Sequence, residues 1–412
     1  MVITHDQLAE RIRQAREAAG FTQDEVARVL ATSRPTVAQI EAGNRKVTSV
    51  ELATLARLFG RSMHDFFEDA FERDGVAFVW RALPETREDP AAQEGMTRGI
   101  EIINAILDLE RVLGLERLAP RLPQYRLAPA TTTREAVGQG DELAGQERQR
   151  LRLGSGPVAD PGTLLESEGV LVLSLDLPQG VSGLTFQAKR AMVCVISSKD
   201  APVRQRYSLA HEYCHAICDL AGAPGIVSRE GQRKDPKEVR ADAFAAAFLM
   251  PAEGLRGYLA SLGKGQRSRA GTGSEVREVE AVYEPRRITK GREIDIWDVT
   301  RLANYFGTSR TAVIWRLFNL HMINKPRRKR LSEEESKGYG RQLAGFIGDL
   351  DAELRPPERP RLPPAEQRLF TLALDAARAG EISRQKLVEL LKLVGLSEEE
   401  VYTIPLARRE DE

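Results

Sequence analysis

Cysteine is scarce: Cys194, Cys214 and Cys218 are the only three in 412 residues. A disulfide framework is therefore not what holds the chain together, and an odd number of thiols fits a reducing compartment. No apolar run approaches the roughly 20 residues needed to cross a bilayer. The opening residues, Met1-Val2-Ile3-Thr4-His5-Asp6, lack the charged-then-apolar pattern of a secretory signal. These absences point to the cytoplasm and to no membrane partner. Net charge is missing too, with 60 Lys and Arg against 60 Asp and Glu. Any nucleic-acid contact must then come from a local patch. Histidine is rare, at five residues, so two at regular spacing carry weight. The length calls for more than one domain.

Those two histidines lie in His211-Glu212-Tyr213-Cys214-His215, the pattern H-E-x-x-H. On a helix, residues four apart share a face, so His211 and His215 can aim their rings at one point. Paired neutral imidazoles suit a borderline-soft ion such as zinc, and a third ligand plus one open position makes such a site catalytic. Glu212 is then placed to take a proton from water acidified by the ion. The competing reading is a surface helix with two satisfied histidines. Against it, the flank is apolar beyond Arg204 and Arg206. Cys214 and Cys218 are also four apart. They read as small core residues on the buried side, with a thiolate-ligand or redox role as the alternative.

A third ligand is expected from a second helix, Glu238 to Pro251, whose apolar positions recur at helical spacing. Glu238 completes a His, His, Glu set. Asp242, one turn on, can accept the second ring N–H of a ligand histidine. Asp219, Glu230, Asp235 and Asp242 itself are rival third ligands, and a solvated polar stripe is the bland alternative.

H-E-x-x-H followed by E-x-x-A-[ND]-x-F-A-A-x-x-L-M-P resembles the ImmA/IrrE family of bacterial zinc metallopeptidases, over roughly Leu164 to Asn324. Those enzymes are similar to the gluzincins, with two histidines and a glutamate on zinc. The resemblance implies His211, His215 and Glu238 as zinc ligands and Glu212 as general base. Arg240 departs from the family, many members of which carry a polar or acidic residue there.

Residues 4 to about 70 read as five short helices: Gln7 to Ala19 capped by Asp6, Gln23 to Leu30 capped by Thr22, Arg34 to Ala42, Ser49 to Phe59, and a fifth from near Met63. Leu8, Ile12, Ala15, Val26, Leu30, Val37, Ile40, Leu52, Leu55 and Leu58 recur at helical spacing as one core. Residues 11–23 and 33–43 resemble the helix-turn-helix of Xre/Cro repressors, which lay a reading helix in the major groove. The resemblance implies that Arg34, Pro35, Thr36, Ala38 and Gln39 face the bases. It implies that Gln23, Asn44, Arg45 and Lys46 touch phosphates. A protein-binding module of the same fold is the alternative.

The expected class is α+β and mostly helical, in four regions: a helix-turn-helix domain at 4–72, a helical connector and linker at 73–161, a zincin-like peptidase domain at 162–324, and a basic linker with a helical tail at 325–412. Within the connector, residues 119–160 read as linker or as partly helical around Glu142 to Leu151. Strands are expected at Gly169 to Leu175, Gly183 to Gln187 and Ala191 to Ile196. An edge strand beside the zinc could hold an extended peptide by strand addition. Residues 261–275 read as a mobile loop, and Ile296 to Phe306 with Ser309 to Leu320 as a helix pair. Lys325 to Arg330 reads as a basic linker.

The expected function is a DNA-binding regulator that cuts an Xre-type repressor, or its own chain, in a DNA-damage type of stress response. Residues 119–160 are the favoured cut region and 261–275 the second. Expected partners are a double-stranded operator, a protein substrate, a second copy of the chain and a single-stranded DNA activator. The rivals are a non-catalytic metal sensor and a toxin–antitoxin or phage-type regulator.

Overall fold

The computed structural model describes residues 3–61, 63, 66–67, 79, 82–87, 89–115, 122–188, 191–220, 223–231, 234–264, 293–347 and 362–406. It is mostly helical with one small sheet. Its first four helices are α1 (His5–Ala19), α2 (Gln23–Val29), α3 (Arg34–Glu41) and α4 (Ser49–Phe59). Three of their starts are closed by reciprocal bonds between Thr4 and Gln7, Thr22 and Glu25, and Thr48 and Glu51. Thr4 rather than Asp6 caps α1: its hydroxyl reaches the Gln7 N–H, while Asp6 already lies in the first turn. Ile12, Ala15, Val26, Val37, Ile40, Leu52, Leu55 and Leu58 are buried together, with Leu8 and Leu30 at the margin. The Arg16 guanidinium ties α1 to α3 by bonds of 2.6 and 3.0 Å to Glu41. The fifth helix expected near Met63 lies largely outside the described residues.

Helix α5 (Pro90–Val112) starts at Pro90 with Asp89 as cap, α6 spans Thr133–Arg150 and α7 spans Pro161–Ser167. Strands β1 (Val170–Leu175), β2 (Val181–Ala188) and β3 (Ala191–Ser197) follow as expected. A fourth, β4 (Gly225–Arg229), was not expected from the sequence, since five residues ending in Ser-Arg carry little local pattern. The order is β1-β3-β2-β4, with β1 parallel to β3 and the other pairs antiparallel. Alternate strand residues point to opposite faces. Leu171, Leu173, Leu184, Phe186, Val193 and Val195 join a core shared with α1–α5, whereas Val170, Val172, Met192, Cys194 and Ile196 join the second core. Burial on both faces explains why these strands read as continuous apolar runs rather than alternating ones.

The second core contains the H-E-x-x-H helix α8 (Pro202–Cys218) and the downstream helix α9 (Pro236–Leu249). Helix α6 packs along α9. The stretch 133–150 is thus a structural helix, and Tyr125 ahead of it is pinned by its N–H to Ile217 O at 2.8 Å. This helix is the helical alternative expected around Glu142 to Leu151, extended back to Thr133, and it packs through small residues. A Cβ on Gly140 would sit 2.8 Å from Ala243 Cβ and from Phe244 N, with the Arg240 carbonyl nearer still.

Helices α10 (Ala252–Ser261), α11 (Ile296–Phe306) and α12 (Arg310–Asn319) complete this side. The basic run expected as a linker forms the start of α13 (Lys325–Ser336), capped by Asn324. There Arg328 stacks 4.2 Å above the Trp315 ring, so neighbouring side chains hold part of the run. Helix α14 (Tyr339–Ile347) follows. The last helices are α15 (Pro364–Arg378), α16 (Arg384–Lys392) and α17 (Glu398–Thr403). They return to the first core, where α15 packs on α5 and β1, and Arg368 bonds Glu110 at 2.6 Å.

Gly140→Ala is expected to cost about 1–3 kcal/mol by overpacking α6 against the α9 backbone, read as a lowered urea midpoint. An unchanged midpoint would show that the two helices are not held at this distance.

Candidate metal centre and nucleic-acid face

Helix α8 opens at Pro202 and lies against β2 and β3. Its inward face carries His211, Glu212 and His215, which are 8%, 1% and 0% exposed. Helix α9 opens at Pro236 with Asp235 as cap and carries Glu238 in its first turn. The crossing of the two helices brings three ligand groups, two ring nitrogens and the Glu238 carboxylate, into a triangle. His211 Nε2 lies 3.2 Å from His215 Nε2 and 3.2 Å from Glu238 Oε2, and His215 Nε2 lies 3.4 Å from Glu238 Oε1. Ligands of a tetrahedral ion with bonds near 2.1 Å stand about 3.3–3.5 Å apart, so the spacing fits a divalent metal. Of the rival third ligands, Asp219 and Asp242 are used otherwise, and Glu230 pairs with Arg204 at 2.7 Å. Asp235 is the helix cap.

The far nitrogen of each ring is also fixed. His211 Nδ1 faces Asp242 Oδ1 at 3.1 Å, and His215 Nδ1 faces Asp219 Oδ2 at 2.9 Å. An Nδ1–H donated to each carboxylate leaves both Nε2 lone pairs on the triangle, the tautomer a metal requires. Arg240 in turn holds Asp219, through Nη2 to Oδ1 at 2.5 Å. Asp242 stands beside the second ring nitrogen of His211, where the sequence placed it. Asp219 was expected only as a rival ligand, although its place four residues after His215 could have revealed a helical partner. Arg240, noted as a departure from the family pattern, neutralises this buried carboxylate.

Without an ion, these lone pairs and carboxylates attract protons. Burial opposes the charged ring of His211, but bonds to Asp242 and Glu238 outweigh it and raise its pKa to about 9. His215 is raised to about 10 by Asp219 and Glu238, again against burial. Burial alone would raise Glu238, yet its bonds to the two rings bring it down to about 2. A metal must displace protons held above the ordinary histidine pKa of 6.5, so affinity should increase as pH rises through about 9. In the metal-free protein the sign reverses. The stability contributed by the two protonated rings is complete below the unfolded-state pKa and is lost as pH rises through about 9 to 10.

Glu212 is not part of the triangle. Its Oε2 accepts a bond from the Thr185 hydroxyl of β2 at 2.6 Å. Thr185 carried no signal in the sequence, since the contact spans 27 residues between strand and helix. Cys214 and Cys218 lie on α8 with sulfurs 3.7 Å apart; Cys214 belongs to the second core and Cys218 packs at its edge.

At the other end of the chain, α3 presents Arg34, Pro35 and Gln39 exposed, with Thr36 and Ala38 half-buried. Asn44 and Lys46 are exposed beyond it. Two expected phosphate contacts have partners within the chain: Gln23 donates to Glu41 at 2.9 Å and Arg45 to Glu51 at 2.8 Å. Arg34 stands 3.9 Å from Asp24, and both are well exposed.

A triangle of candidate ligands on crossed helices, together with α1–α4 at the N-terminal end of the described residues, marks two modules, one like a metallopeptidase and one like a helix-turn-helix domain. The comparisons agree. Residues 165–318 match the M78 peptidase model described as an IrrE N-terminal-like domain, and residues 7–65 match a helix-turn-helix domain. The chain carries both domains. No curated protein matches it. No helix among the described residues is long and apolar enough to cross a membrane.

Purified protein is expected to take up one divalent ion per chain. Glu238→Ala should abolish tight uptake, and Asp219→Ala should weaken it by about 10–100-fold. Competition with a chromogenic chelator measures both. Tight binding by Glu238→Ala would exclude Glu238 as a ligand.

Proposed function

We propose that this protein is a transcription regulator whose M78-type domain is a zinc-dependent endopeptidase. His211, His215 and Glu238 are the ligands and Glu212 is the general base. The observation that carries the reading is a buried carboxylate, Glu212, beside the triangle and outside the ligand set. A site that only stabilises the fold or senses a metal has no use for it. Bound zinc supplies Lewis acidity to the scissile carbonyl and to water. Glu212 takes the proton of the attacking water and passes it to the leaving amine. Strand β4, on the outer side of β2, offers an edge along which an extended substrate can lie.

The substrate is a protein of the Xre repressor type, cut in trans as part of a DNA-damage type of stress response. Packing of α6 on α9 and the pinned Tyr125 make 122–160 a poor place for self-cleavage. Residues 265–275, which include most of the second cut region, lie outside the described residues. The exposed side chains of α3 read a double-stranded operator, and two-fold operators require a dimer. The non-catalytic sensor remains the alternative.

Zinc-loaded wild type and Glu212→Gln, each incubated with a helix-turn-helix repressor encoded nearby, with and without single-stranded DNA, separate the readings. The proposal expects a cut in the wild type alone, located by mass spectrometry. No cut under any condition while zinc stays bound would favour the sensor. For DNA, Arg34→Ala should cost about 1–3 kcal/mol on the operator and relax one base position. Equal operator affinity at one fixed salt would exclude Arg34 from the reading face.

A further inference from the structure

Glu212 is carried by α8, and its carboxylate end lies against β2. The Thr185 hydroxyl, 0% exposed, has three neighbours within hydrogen-bonding range: Glu212 Oε2 at 2.6 Å, Glu212 O at 3.3 Å and Cys194 Sγ at 3.5 Å. It has one proton to donate, and the carboxylate is both the nearest acceptor and the charged one. The Cys194 thiol can donate to the same hydroxyl, giving a buried chain from thiol to hydroxyl to carboxylate.

Two residues earlier, Gly183 makes room for the same group. A Cβ there would stand 2.5 Å from Glu212 Oε1, 2.9 Å from its Cδ and 3.1 Å from its Cγ. Gly183 is not among the residues with positive φ, so backbone conformation does not demand glycine. Both residues lie on the same face of β2 by the two-residue repeat of a strand. One of them ties down Glu212 Oε2 and the other clears the space that Oε1 fills.

We propose that Thr185 and Gly183 form a seat on β2 that positions Glu212 toward the metal centre, with Thr185 as the positioning hydroxyl and Gly183 as the required gap. This rests on the reading of Glu212 as the base. The obstructed atoms in Gly183→Ala belong to the far end of a flexible side chain, so that variant displaces the carboxylate and leaves the fold. Thr185→Val keeps the shape of a buried strand residue and removes only the donor.

The test uses the full chain loaded with cobalt(II), whose visible spectrum reports both occupancy and what enters the metal shell. The probe is acetohydroxamic acid, which chelates the ion and hydrogen-bonds an adjacent carboxylate through its own N–H or O–H. The wild type, Thr185→Val, Thr185→Ser, Gly183→Ala and Glu212→Gln are all expected to hold one cobalt. Probe affinity should fall by about tenfold or more in Thr185→Val, Gly183→Ala and Glu212→Gln, and Thr185→Ser should restore it. Wild-type affinity in Thr185→Val and Gly183→Ala, with Glu212→Gln weakened, overturns the seat and leaves the base intact. Wild-type affinity in Glu212→Gln removes the base reading, and the seat with it. Loss of cobalt from Thr185→Val would show a structural role instead, which also overturns the proposal.

Discussion

Two imidazole nitrogens and a carboxylate meet in a buried space, the nitrogens 3.2 Å apart, one carboxylate oxygen 3.2 Å from His211 and the other 3.4 Å from His215. Helices α8 and α9 of the second core hold these groups together. Helix α8 supplies two of the groups by its four-residue spacing, and α9 supplies the third from its first turn. Asp242 and Asp219 turn the rings, and Arg240 offsets the charge of Asp219. Helix α6 fixes α9 through the close approach at Gly140. Burial opposes charging both rings, and bonds to the carboxylates of Asp242, Asp219 and Glu238 outweigh it and raise their pKa values.

The sheet divides the molecule's work. One face packs against the metal-site helices. The opposite face belongs to the core that contains α1 to α5 and the returning C-terminal helices. Helix α15 and the strand that starts the sheet are therefore neighbours, although far apart in sequence. Helix α8 packs on β2 and β3, the sheet's other face meets α5 at β1, and α4 packs on α5. Packing is thus continuous from α8 through the sheet and α5 to α4.

What could be read from the sequence was what repeats within a few residues. The pairing of His211 with His215, the adjacent Glu212, and Glu238 and Asp242 one turn apart on the second helix were legible from helical spacing, and three strands from apolar runs. Helices α2 to α4 were legible from their caps and core positions; only the cap of α1 was misplaced by two residues, because Thr4 and Asp6 are both good cap residues. What escaped depends on contacts between distant segments. Strand β4 shows only in its pairing with β2, the first half of α6 only in its close approach to α9 at Gly140, and Thr185 matters only once β2 lies on α8. The chain's departure at Arg240 acquires a reason only when Asp219 is seen beside it.

Anomalous diffraction at the zinc edge from crystals of the zinc-loaded full chain tests the central claim most directly. The account predicts one zinc per chain, bonded to Nε2 of His211, Nε2 of His215 and the Glu238 carboxylate, with a fourth position open to water on the side of Glu212. A zinc closed by a fourth protein ligand, or one seated elsewhere in the chain, would contradict it.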